Sequence, residues 1–142
     1  MGSLCPLDSQ QAATADKLME WTNSRFMRTF FPIFWGLIRT PKEDQDIAQV
    51  RAAAQATGEL LKIVEQQLEG KKFIIGDNLT MGDIPLGSML FKYFTLDIDR
   101  PSFPNIEAWY ARLCERDAYR AHAMNPFGKN NEEWLALEKA GE

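Results

Sequence analysis

Leu79-Thr80-Met81-Gly82-Asp83-Ile84 carries two devices that start a helix. Thr80 at the N-cap can accept a hydrogen bond from the backbone N–H of Asp83. The Asp83 carboxylate can reach back to the N–H of Thr80, a short-armed version of the usual capping box. Leu79 before the cap and Ile84 after it have the spacing of a hydrophobic staple. Where such a turn is buried, the reciprocal bonds satisfy donors that would otherwise cost ~1–3 kcal/mol each. Pro85 falls in the first turn, where its missing N–H costs less than deeper in a helix. The helix that begins here runs to about Leu96. Just upstream, Phe73-Ile74-Ile75 is the one run that could pass for a strand. It has nothing to pair with, so it reads as an extended connector pressed into the core.

Outward from this point the chain is helical in both directions. Ser9 to Ile38 reads as one long helix, with Leu18, Trp21 and Arg25, and Met19, Phe26 and Phe30, recurring at three- and four-residue spacing. It would be ~45 Å long at 1.5 Å per residue. Pro32 inside it withdraws a backbone donor and predicts a kink between Arg28 and Pro32. Thr40-Pro41-Lys42-Glu43 then supplies an N-cap, a first-turn proline and the acid of a capping box. The second helix carries the stripe Ile47, Val50, Ala54, Leu61, Val64 and Leu68, and Gly70 stops it. The short connection predicts an antiparallel hairpin. Downstream, Pro104 opens a helix to about Glu115, a short helix covers Asp117 to Ala123, and a tail helix spans Asn131 to Lys139. The fold class is all-α.

The composition narrows the function. The chain has 142 residues, 16 Lys plus Arg against 20 Asp plus Glu, and a formal charge of −4. That length fits one domain. Mild acidity without a Lys/Arg cluster argues against a nucleic-acid surface. The aromatic-rich segment Phe26 to Ile38 is broken by Arg28, Pro32 and Gly36, so no membrane span is expected. Two cysteines, Cys5 and Cys114, make no disulfide framework, and nothing resembles a secretion signal, which places the protein in the cytoplasm. With His122 as the single histidine, neither a zinc site nor a di-iron bundle can be assembled, and no metal is expected.

The ordered motifs carry a resemblance. Phe73-Ile74-Ile75-Gly76-Asp77 followed by Thr80-Met81-Gly82-Asp83-Ile84-Pro85-Leu86-Gly87 resembles the start of the sixth helix of cytosolic glutathione transferases. Arg100-Pro101, Phe103-Pro104-Asn105-Ile106, Trp109-Tyr110, Arg112-Leu113 and Tyr119-Arg120 look like that family's seventh and eighth helices. Trp21 with Phe34-Trp35-Gly36-Leu37-Ile38-Arg39-Thr40-Pro41 is similar to the fourth helix of bacterial members. The likeness covers roughly Leu4 to Phe127. It implies the C-terminal helical bundle of the family, a long helix hairpin plus three to four shorter helices. The expected organisation is a leader or former interdomain linker at 1–8, the helical domain at 9–127 and a tail helix at 128–142.

In the family, an N-terminal thioredoxin-like domain binds glutathione and stabilises its thiolate, and the helical domain supplies part of the hydrophobic substrate site. No residue of that α/β domain can be placed in this chain, so the expectation is a chain inactive in conjugation by itself. No cofactor is expected, and glutathione enters as co-substrate only if a thioredoxin-like domain is supplied. Cys5-Pro6 precedes a helix hairpin instead of a strand-to-helix turn, so Cys5 reads as an inert thiol. His122 has no acid or Cys at catalytic spacing, and no catalytic residue is assigned.

Phe26, Phe30 and Phe34 form one aromatic line on the first helix, and Phe31 and Trp35 another. They cannot all face one core, because a surface helix carries a single apolar stripe. The excess is expected to line a ligand cleft or meet an N-terminal domain. Phe26 and Phe30, with Met27 as a flexible neighbour, are the candidates for that hydrophobic pocket. Asp16 and Glu20 lie one turn apart. In some members an acid of this helix reaches the amino group of glutathione in the neighbouring subunit, whereas the blander account is a solvated helix face. Three functions follow: the hydrophobic-substrate half of a transferase, a stand-alone protein interaction module, or a non-catalytic carrier of hydrophobic small molecules. In each, an uncovered apolar face predicts self-association, a homodimer at least.

Overall fold

Asp8 opens the first helix by accepting from the N–H of Gln11 at 2.9 Å. The computed structural model describes residues 4–141, and Met1, Gly2 and Ser3 of the expected leader lie outside the described residues. Helix α1 (Ser9–Trp21) passes through a π-helical turn (Thr22–Phe26) into α2 (Met27–Phe34), which ends in a second π-helical turn (Trp35–Arg39). The long first helix therefore forms. Its irregularities differ from the expected kink: Arg28 to Pro32 is regular α-helix, and the wide turns lie on either side. In the first of them the Met27 N–H reaches past the usual acceptor to the Thr22 carbonyl. The Thr22 hydroxyl donates to the Leu18 carbonyl at 2.9 Å, offering that carbonyl a partner outside the regular ladder.

The start of the second helix also differs from expectation. Thr40 closes the preceding element instead of opening the next, since its hydroxyl donates to the Trp35 carbonyl at 2.9 Å. Gln45 adds to this stop by donating from Nε2 to the carbonyls of Leu37 (3.2 Å) and Thr40 (3.0 Å). Pro41 and Glu43 contribute only to a single 3-10 turn (Lys42–Asp44). Helix α3 (Ile47–Gln67) begins later, with the Asp46 carboxylate accepting from the Gln49 N–H at 3.0 Å. Val50, Ala54, Leu61 and Val64 are buried as the stripe requires, whereas Ile47, in the first turn, stays 43% exposed. Helix α2 lies along α3. A Cβ on Gly36 would fall 2.6 Å from Val50 Cγ2, so glycine sets how closely the hairpin closes.

The Phe73 segment is an irregular connector, as expected, and no strand occurs among the described residues. Its N–H of Phe73 donates to the Gly76 carbonyl at 2.8 Å, and Gln67 Nε2 holds the Ile74 carbonyl at 3.0 Å. A 3-10 turn (Met81–Asp83) leads into α4 (Ile84–Thr95), followed by α5 (Pro104–Cys114), α6 (Asp117–His122) and α7 (Asn131–Ala140). Trp109, Tyr93, Phe26, Phe30 and Leu61 fill the centre of one core. Among the described residues no helix is long and apolar enough to cross a membrane.

Candidate functional site

Asp83 is the one fully buried ionisable carboxylate among the described residues. Its Oδ1 accepts from the Ile74 N–H at 2.8 Å, and its Oδ2 accepts from the Thr80 N–H at 2.8 Å and the Thr80 hydroxyl at 3.1 Å. The expected capping box is present. It also does more than cap, because the bond to Ile74 ties the connector to the start of α4. Burial pushes the Asp83 carboxyl above its ordinary value, and the bonds from Ile74 and Thr80 pull the other way. The indole of Trp109 also faces the carboxylate and favours its charge. Its buried Nε1 nevertheless completes no hydrogen bond of ordinary geometry. Of the staple positions, Leu79 packs on the core while Ile84 remains 47% exposed. Gly82 lets α1 press on the knot, since a Cβ there would come 3.2 Å from Ala15 Cα. These groups hold a fold together, and the Asp83 carboxylate at their centre is closed to a ligand.

The two aromatic lines of the first helix separate sharply. Phe26 and Phe30 are 0% and 2% exposed, with rings stacked at 5.3 Å, so the rings proposed for a pocket are core. Met27 beside them is half-buried. The open line is the other one, Phe31 at 48% and Trp35 at 51% exposure. One helix's periodicity defines two faces but not which of them the neighbours cover, and α3 decided it. The exposed rings, with Arg28, Gly36, Asp44 and Gln49, line a groove of about 440 Å³. A larger groove of about 700 Å³ runs between Ile47, Arg51 and Gln55 of α3 and the Asp97 to Pro101 segment. Sequence reasoning missed both, because each joins segments distant in the chain.

Asp16 and Glu20 are both exposed on α1, one turn apart. The tyrosine hydroxyls are all shifted in one direction: burial pushes Tyr93 and Tyr110 up to about 12, and Tyr119 higher still. The Tyr119 hydroxyl donates to the Gly87 carbonyl at 2.7 Å. Glu65, which no local pattern singled out, closes the start of α5. Its two oxygens accept from the N–H groups of Asn105 and Ile106, each at 3.0 Å. Among the described residues no group of three His, Cys, Asp or Glu side chains is placed to hold a metal ion.

Comparison with known proteins supplies the relation. Residues 15–117 match the family described as glutathione S-transferase, C-terminal domain. The glutathione S-transferase GstB of Escherichia coli K12 is 32% identical over 114 residues, which is 80% of this chain and 55% of the relative. The glutathione S-transferase-like protein LUC7 of a Fusarium species is 29% identical over 116 residues, 76% of this chain and 51% of its own. The chain thus spans about half the length of these curated relatives. The theta class glutathione S-transferase of Xanthomonas axonopodis pv. citri, solved with glutathione bound, superposes with a TM-score of 0.84 at 39% identity. That superposition covers 88% of this chain and 66% of the other. The match runs from within α1 to the start of α6, the same knot and hairpin that organise the bundle, and the chain belongs to the glutathione S-transferase family through its C-terminal helical domain.

Proposed function

We propose that this chain supplies the hydrophobic-substrate half of a glutathione transferase-like protein and does not conjugate glutathione by itself. Conjugation requires a depressed thiol pKa, a clamp for the tripeptide and a pocket for the electrophile at one place. The observation that carries the proposal is the match of residues 15–117 to the family's C-terminal domain. A thioredoxin-like domain would supply the first two requirements, with glutathione as co-substrate. Leu37, Ile47 and Val50, along the groove between α3 and the Asp97 to Pro101 segment, would contribute to the third. Asp16 and Glu20 are assigned to the solvated face of α1, where a contact with glutathione would need a neighbouring subunit.

The purified chain of residues 1–142, mixed with glutathione and a chloronitrobenzene electrophile, is expected to give no rate above the uncatalysed reaction. Turnover above that background overturns the proposal. The exposed Phe31 and Trp35 favour one addition to it: the apolar line is covered by a second copy of the chain in solution.

A further inference from the structure

We infer that α7 is a hinged strap that opens and closes as a unit, held shut by the guanidinium of Arg39 between the indoles of Trp35 and Trp134. The inference is independent of the proposed function. Helix α7 has ten residues, and isolated helices shorter than ~12–15 residues are marginal in water. None of its residues is buried, and Leu135 and Leu137 stay 45% and 43% exposed. Its helical state therefore depends on what it docks against, and the docking falls on the stretch from Phe34 to Arg39.

Arg39 is the centre of that docking. Its guanidinium lies 4.4 Å from the centre of the Trp134 ring and 5.0 Å from that of Trp35. Its Nη1 pairs with Glu138 Oε1 at 3.1 Å. Its carbonyl, freed where the π-helical turn ends, accepts from Asn131 Nδ2 at 3.0 Å. Trp134 also meets Phe34 edge to face at 5.8 Å. Three α7 side chains thus converge on one residue. The pivot is adjacent. Phe127 is anchored in the core, edge-on to Phe34 and Phe91. Gly128 follows with φ +76°, a conformation that favours glycine, and a Cβ there would lie 2.7 Å from Glu133 Cβ. Opening the strap uncovers Phe34 beside the exposed Phe31 and Trp35, so the strap sets how much aromatic surface the molecule offers.

Hydrogen–deuterium exchange on the full chain tests this, with Arg39→Ala, Arg39→Lys and Trp134→Ala as variants. In the wild type, α7 amides are expected to be protected yet to exchange faster than those of α3 and α5. Arg39→Ala and Trp134→Ala should each raise α7 exchange about three- to fivefold, the loss expected for part-exposed cation–π contacts, and leave α3 and α5 unchanged. Arg39→Lys keeps the charge but not the planar stack and should also raise it. The inference fails if wild-type α7 exchanges at the rate of α3, or shows no protection. It fails equally if no variant moves α7, if Arg39→Lys matches the wild type, or if the variants speed α3 and α5 together with α7.

Discussion

Removing the Asp83 carboxylate strands the N–H groups of Ile74 and Thr80 in a buried turn, and each unsatisfied donor costs ~1–3 kcal/mol. Asp83→Ala is therefore expected to lower stability by at least about 2 kcal/mol, read as a fall in the urea midpoint; an unchanged midpoint would contradict it. The pH dependence follows from the direction of the shift. The unfolded carboxyl titrates near 3.8 and the folded one higher, so between those values the native state holds more protons. The stability contributed by the neutral form is complete below the unfolded value and is lost as pH rises through the folded one. Compared with Asp83→Asn, the wild type should lose stability as pH climbs through the acid range above 3.8. A difference that stays flat or grows in that range is the opposing result. Glu65→Ala should cost about 1 kcal/mol by uncapping α5. The contrast between these acids shows what a sequence makes legible. Thr80 and Asp83 are three positions apart, so their pairing can be read directly. The Ile74 bond and the Glu65 cap join residues nine and about forty positions apart, where only the packed bundle brings them together.

Among the elements, helix identity was legible throughout because apolar spacing and glycine or proline punctuation are local properties. Pattern was a poorer guide to the join between the first two helices. Thr40-Pro41-Lys42-Glu43 has every residue a helix start needs, yet Asp46 caps α3 and Thr40 bonds backward to Trp35. Two competent caps six residues apart cannot be ranked without knowing where the hairpin must turn. The wide turns at Thr22–Phe26 and Trp35–Arg39 have no reliable local signature either. Gly36 tests the second of them. Alanine normally favours a helix over glycine by ~1 kcal/mol, but its Cβ would sit 2.6 Å from a methyl of Val50. Valine's branched side chain has one strongly preferred rotamer in a helix and cannot swing clear. Overpacking at ~1–3 kcal/mol should therefore win, and Gly36→Ala should destabilise the protein. A raised thermal midpoint would show that the hairpin gives way at no cost.

For the whole molecule, the accessible surface of 8882 Å² can be set against the size of the chain. A folded monomer of 16.2 kDa would expose about 7,400 Å² by the usual scaling of surface with mass. The excess is more than the ~800 Å² that each partner contributes to a standard interface. Much of the exposed apolar surface is unremarkable singly, but Phe31 and Trp35 lie one helical turn apart on one groove. Their rings give a contact a centre of the aromatic kind that dominates binding energy. Purified chain at high concentration should therefore scatter as at least twice 16.2 kDa. Phe31→Glu places a charge on the half-exposed face without entering the core, so it should return the mass to that of one chain and keep the helical circular dichroism signal of the wild type, with a thermal midpoint lowered only by the lost association. A wild type that scatters as a single chain at every concentration would mean that the excess surface is simply solvated. A Phe31→Glu variant that still associates would move the interface to another face, such as the groove between α3 and Asp97.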